Sequence, residues 1–158
     1  MSGRVGSGGG GIRRSSAVGI LLLSLVACPE PGECEEDIRA QVLETIVLEV
    51  AREPLDAELA DESSERDRGW KHRTCDREAL LLLPDAPASE LSVWGCGLVG
   101  AIDVYGVRDG VIISAAVLEP CGEPCGGCPV LGEGELVDAV IETPAETREW
   151  VVGDEVRF

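Results

Sequence analysis

The sequence is poor in aromatic, histidine and basic residues. Trp70, Trp94, Tyr105, Trp150 and Phe158 are the only aromatics in 158 residues, too few for a stacking platform that reads bases or sugars. His72 is the single histidine. It lies between Lys71 and Arg73 in a charged stretch, the setting of an exposed loop residue rather than a catalytic base. Against 13 Lys and Arg stand 30 Asp and Glu. Arg4, Arg13 and Arg14 precede residue 28 and no acid does, so residues 28–158 carry a formal charge of −20. Such a surface repels phosphates, which excludes nucleic acid as a partner. It favours cationic partners instead, a basic envelope protein or a divalent cation. The motifs of metalloproteases, nucleophile elbows and phosphate-binding loops are all missing. No catalytic residue, resident metal or cofactor is therefore expected.

Long hydrophobic runs are missing too. Residues 17–27, AVGILLLSLVA, form an uncharged stretch of eleven residues, too short to span a bilayer as a helix. Behind a Gly- and Ser-rich start whose only charges are positive, this stretch has the form of an export signal. It ends Leu25-Val26-Ala27-Cys28, which resembles the lipobox of bacterial lipoproteins. That resemblance implies removal of residues 1–27 and lipidation of Cys28, so that the chain is held to a membrane by acyl groups. Each buried methylene is worth roughly 0.8 kcal/mol, and one chain alone anchors only marginally. Pro29 stands where an inner-membrane retention signal would carry Asp, which favours the outer membrane, with the protein facing the periplasm or the cell surface. Residues 28–37 read as a lipidated acidic tether. The six steps from Cys28 to Cys34 reach at most about 20 Å.

Residues 38–158 are long enough for one domain with its own core. Residues 38–51 alternate apolar and mixed positions with period two, and the β-branched residues at 45–50 favour a strand. Residues 61–73 read as a charged loop whose acids, Asp61, Glu62, Glu65 and Asp67, are solvated. Short strands are predicted at 78–83 and 90–94. Asp109-Gly110 between apolar runs at 101–107 and 111–118 is a hairpin signal. Residues 119–134 are too rich in Gly and Pro for regular structure, and the last strands are expected at 135–142 and 149–152. Trp94 is expected to pack in the core. The pattern predicts an all-β fold, a small sandwich with a Cys/Gly/Pro-rich loop. Leu48-Glu49-Val50 followed by residues 54–59, and Gly100-Ala101-Ile102-Asp103-Val104 followed by Gly110, resemble carboxypeptidase-regulatory-like and related immunoglobulin-like β-sandwich modules. The resemblance covers residues 44 to 118 and implies a non-catalytic module.

Seven cysteines are present. Assigning Cys28 to lipid leaves an even set, Cys34, Cys75, Cys96, Cys121, Cys125 and Cys128, as expected for disulfides in an exported chain. The expected pairing joins Cys75 to Cys96 and Cys34 to one of the last three, whose other two members join each other. The spacing Cys121-x3-Cys125-x2-Cys128 matches the iron–sulfur ligands of radical S-adenosylmethionine enzymes. Those enzymes need a large α/β barrel and a reducing compartment, and thiolate zinc sites need a fourth ligand. The expected function is that of a lipid-anchored envelope lipoprotein, a non-catalytic binding or structural module with an acidic surface. The alternative is a redox or metal-binding protein using Cys121, Cys125 and Cys128.

Overall fold

The structure is a computed structural model, and it describes residues 35–75, 77–122 and 124–158. The export signal and the lipobox, together with Cys28 and Cys34, lie outside the described residues. Among the described residues no helix is long and apolar enough to cross a membrane.

The fold is all-β. Seven strands form one sheet in the order β11-β1-β2-β3-β10-β6-β7. They are β1 (Thr45–Val50), β2 (Glu53–Ala60), β3 (Ala79–Leu82), β6 (Ile102–Arg108), β7 (Val111–Leu118), β10 (Ala139–Pro144) and β11 (Val156–Arg157). Within this sheet, among the described residues, only β2 and β3 pair in parallel. Two ribbons of two strands each join β4 (Ser89–Glu90) to β9 (Leu136–Val137) and β5 (Val93–Trp94) to β8 (Val130–Leu131). The sheet curls. Val111 at the start of β7 bridges Glu155, and the Val156 N–H donates to the Gly110 carbonyl at 2.8 Å, so the two outer strands meet.

The Asp109-Gly110 hairpin forms as expected. Both turn residues have positive φ, 52° and 71°, which Asp and Gly tolerate. The Asp138 carboxylate accepts the Asp109 N–H at 2.7 Å and the Ala88 N–H at 2.9 Å, tying the turn to a neighbouring loop.

The central strands β3, β10 and β6 are buried on both faces. Alternate residues therefore serve two cores. Leu81, Ile141, Tyr105 and Val107 face one core with Leu48, Val50, Ile112 and Trp150. Leu80, Leu82, Val140 and Val104 face the other with Trp70, Val93, Leu98 and Val137. This second core places the candidate site.

Several local expectations are corrected. The first strand covers only 45–50, because Gln41 ahead of it is bound elsewhere: its Nε2 donates to the carbonyls of Glu65 and Gly69, each at 3.0 Å. Part of the charged stretch 61–73 is helical, α1 (Ser63–Arg68). The Glu65 carboxylate accepts the Glu62 N–H at 3.2 Å, capping the first turn, so this acid stabilises a helix end. The strand expected over 90–94 splits between two ribbons with different partners. The Gly/Pro-rich stretch contributes β8. Residues 149–152 are not a strand. The Val151 N–H binds the Asp154 carboxylate at 2.9 Å and the chain turns at Gly153, so the closing strand comes later, at β11.

Candidate functional site

The candidate site is built around Glu142. It lies on β10, opposite Val104 of β6 and Leu80 of β3, and points toward the second core. Its exposure is 3%, and Oε2 has no hydrogen-bond partner among the described residues. Burial pushes its carboxyl up to about 7, against the opposing pull of the Arg73 and Lys71 charges and a hydrogen bond from the Trp70 backbone N–H.

Glu142 lies in the wall of an open cleft of about 710 Å³, within the size range of small-molecule sites. The end of α1 and the turn Gly69-Trp70-Lys71 form one side. The segment from Glu90 to Trp94 and residues Val130 and Glu133 form the other. Gly69 has φ 48° and ψ −134°, a conformation natural only to glycine, and it brings the turn directly over the carboxylate. Trp94 is 42% exposed here, which corrects its expected place in the core. On the two-residue strand β5, alternation sends Val93 inward and Trp94 outward. The Lys71 ammonium stands 5.2 Å from the Trp94 ring centre and donates to the Asp67 carbonyl at 2.6 Å.

Below the cleft, Arg73 is wholly buried in an ion pair with Glu58. Glu58 also accepts the Leu43 N–H at 3.1 Å, and the Arg73 guanidinium lies 5.1 Å from the centre of the Trp70 ring. This charged support holds Trp70 in place beside Glu142. His72 is half-buried rather than exposed, with its N–H donating to the Gly97 carbonyl at 2.9 Å.

The second feature is a disulfide clasp in the segments that follow β5 and precede β8. Cys96 is bonded to Cys125 and Cys121 to Cys128. The expected bond between Cys75 and Cys96 is not formed. Cys96 follows β5, whose pairing with β8 carries it to the Gly/Pro-rich loop, whereas Cys75 lies ahead of β3 beside Glu36. Cys75 is itself disulfide-bonded. Glu35 and Glu36 also reach this region: Thr74 Oγ1 donates to the Glu35 carbonyl at 3.0 Å, and the Thr74 N–H to the Glu36 carboxylate at 2.7 Å.

Sequence reasoning misses Glu142. The available signal is a carboxylate inside the run Ala139-Val140-Ile141-Glu142-Thr143, where neither face is expected to meet water. Trp70, Lys71 and His72 stand out in the sequence, but only the fold brings Trp70 and Lys71 to Glu142.

No known family's sequence pattern matches this chain, and no curated protein does. Two solved structures share the fold. One is a protein of unknown function from Novosphingobium aromaticivorans, with a TM-score of 0.61 and 20% identity over 80% of this chain and 100% of that one. The other, from Sinorhizobium meliloti, is provisionally described as a transcription regulator. It has a TM-score of 0.60 and 21% identity over 75% of this chain and 97% of that one. At this identity the likeness concerns the fold alone.

Proposed function

We propose that this chain is a lipid-anchored, non-catalytic binding protein of the bacterial envelope, and that its cleft takes an organic ammonium group. The observation that carries the binding reading is the unpartnered, buried Oε2 of Glu142 in the cleft. An ammonium group supplies the missing donors, and the Trp70 and Trp94 rings supply apolar and cation–π surface for the body of the ligand. The acidic charge of residues 28–158 draws such a cation in from solution, whether it is a free amine or a lysine of a basic envelope protein.

The anchor rests on Leu25-Val26-Ala27-Cys28. The disulfides fit an oxidising compartment outside the cytoplasm. From Cys28 to Glu35 the chain reaches at most about 25 Å, so the start of the domain is tethered close to the membrane, the outer one by the identity of Pro29. The immunoglobulin-like character implied for residues 44 to 118 belongs to the same reading.

Tryptophan fluorescence tests the cleft. Alkylamines should change the emission saturably, matched alcohols and carboxylates should not, and Glu142→Gln should abolish the response. An amine series without effect, or a Glu142→Gln variant that responds equally, refutes the reading. For the anchor, mass spectrometry of the native protein should find an acylated N-terminus at Cys28. An unmodified Cys28 refutes it.

A further inference from the structure

The clasp holds four cysteines, and three of their sulfurs converge. The Sγ atoms of Cys96, Cys125 and Cys128 all lie within 4.8 Å of one another, and that of Cys121 is bonded to Cys128. A tetrahedral zinc–thiolate site has Zn–S bonds near 2.3 Å, which places its sulfurs roughly 3.8 Å apart. The spacing of Cys121, Cys125 and Cys128 supplies three ligands from one loop. Cys96, a distant residue in sequence, supplies the fourth. We propose that Cys96, Cys121, Cys125 and Cys128 form a redox-gated tetrathiolate site for zinc, closed when the two disulfides form and open when they are reduced. This inference does not depend on what the cleft binds.

Backbone interactions position the four residues independently of the sulfur bonds. The Gly95 N–H donates to the Pro129 carbonyl at 3.0 Å, the Cys121 N–H to the Gly95 carbonyl at 2.9 Å, and the Cys128 N–H to the Cys125 carbonyl at 3.2 Å. Packing here is close, and a side chain at Gly95 would collide with the Glu119 carbonyl. Reduction therefore leaves the sulfurs near one another. Cys96 and Cys128 are buried, while Cys121 and Cys125 are half-buried and within reach of a reductant. A tetrathiolate with zinc carries two negative charges. Lys71 and His72 flank the residue after Cys96: a side-chain carbon at Gly97 would lie 3.5 Å from Lys71 Cγ and 3.4 Å from His72 Cε1. Lys71 brings positive charge to that side.

The chemistry balances in two steps. Two equivalents of a dithiol reduce the two disulfides, giving four protein thiols and two oxidised dithiols. Zinc then displaces four thiol protons and forms four Zn–S bonds. A disulfide oxidant reverses the sequence: two equivalents take four electrons from the four thiolates and four protons from solvent, leaving as two dithiols while the two protein disulfides form and zinc is released. Because β8 follows this loop directly and carries Val130 into the cleft wall, the two states place that wall under different constraints.

The test uses the full chain, reduced without oxygen and freed of reductant. Cobalt(II), as the spectroscopic probe, should bind one ion per chain with thiolate-to-cobalt charge-transfer absorption, and zinc should displace it. Zinc should protect Cys96, Cys121, Cys125 and Cys128 from alkylation, as mapped by peptide mass spectrometry. The oxidised chain should bind neither ion. Cys96→Ser and Cys125→Ser should each weaken zinc binding by roughly tenfold or more, a loss of about 1.4 kcal/mol or greater, while Cys75→Ser leaves it unchanged. The proposal is overturned by a reduced chain without the charge-transfer band, by protection of a different set of cysteines, or by undiminished affinity in both serine variants. It is equally overturned if the reduced chain loses its β-sheet circular dichroism and zinc does not restore it.

Discussion

Gly69 lies directly over Glu142: a side-chain carbon at Gly69 would stand 3.6 Å from Oε2 and 3.7 Å from Oε1 of the carboxylate. A backbone turn thus covers a carboxyl group that the sheet has already removed from water. The arrangement destabilises the charged form and leaves a hydrogen-bonding atom for whatever enters the cleft.

Stability should therefore depend on pH through Glu142. Its folded pKa, about 7, is above the ordinary value of 4.5. The folded state holds its proton over a range in which the unfolded chain has released it. The contribution is complete below about pH 4.5 and is lost as pH rises through about 7. The full loss is on the order of 3 kcal/mol. Glu142→Gln should flatten this part of the profile and make the protein more stable than the parent above neutral pH. Urea denaturation across the range measures it; an unchanged slope in the variant would assign the dependence elsewhere.

Gly69→Ala should cost roughly 1–3 kcal/mol. The space around the added methyl group is ordinary contact distance, so the cost comes from the backbone conformation at φ 48° and ψ −134°. The shift in the denaturation midpoint gives the value, and a neutral substitution would mean that the turn relaxes.

Breaking the ion pair beneath Trp70 should be more damaging. Arg73→Met leaves the Glu58 carboxylate buried without its cation and should cost about 3–5 kcal/mol. Adding Glu58→Gln removes the stranded charge while keeping an acceptor for the Leu43 N–H, and should recover most of the loss. A double variant no more stable than Arg73→Met would show that Arg73 acts through packing on Trp70 instead.

Trp94→Ala should separate binding from folding. Trp94 is 42% exposed and stands beside the Lys71 ammonium, outside both cores, so its removal should shift stability by no more than about 1 kcal/mol. Amine affinity should fall nonetheless, because one wall of the cleft is lost. Thermal denaturation and calorimetric titration together test this, and unchanged amine affinity would place the ligand away from Trp94.

The β-rich character and the Asp109-Gly110 hairpin were legible because both depend on neighbours in sequence. Alternation and turn residues act over a few positions, and the left-handed turn needs the residue types found there. The small ribbons were harder to read. Val93-Trp94 and Val130-Leu131 are too short to declare themselves, and each is a strand only because the other is beside it. The helix at 63–68 was hidden because its charges read as a loop, and the bond from the Glu62 N–H to the Glu65 carboxylate that caps it is visible only in the fold.

The sequence by itself determined the charge imbalance, the apolar run ending in Leu25-Val26-Ala27-Cys28, and the β-rich character of residues 38–158. These are properties of composition and local order, and no long-range contact alters them. Only the tertiary structure decided which cysteines meet and which carboxylate loses its water. Cys96 reaches Cys125 because β5 pairs with β8, far along the chain. Glu142 has an elevated pKa because β3 and β6 flank its strand and the Gly69 turn closes over it, and desolvation is set by packing in three dimensions rather than by neighbours in sequence.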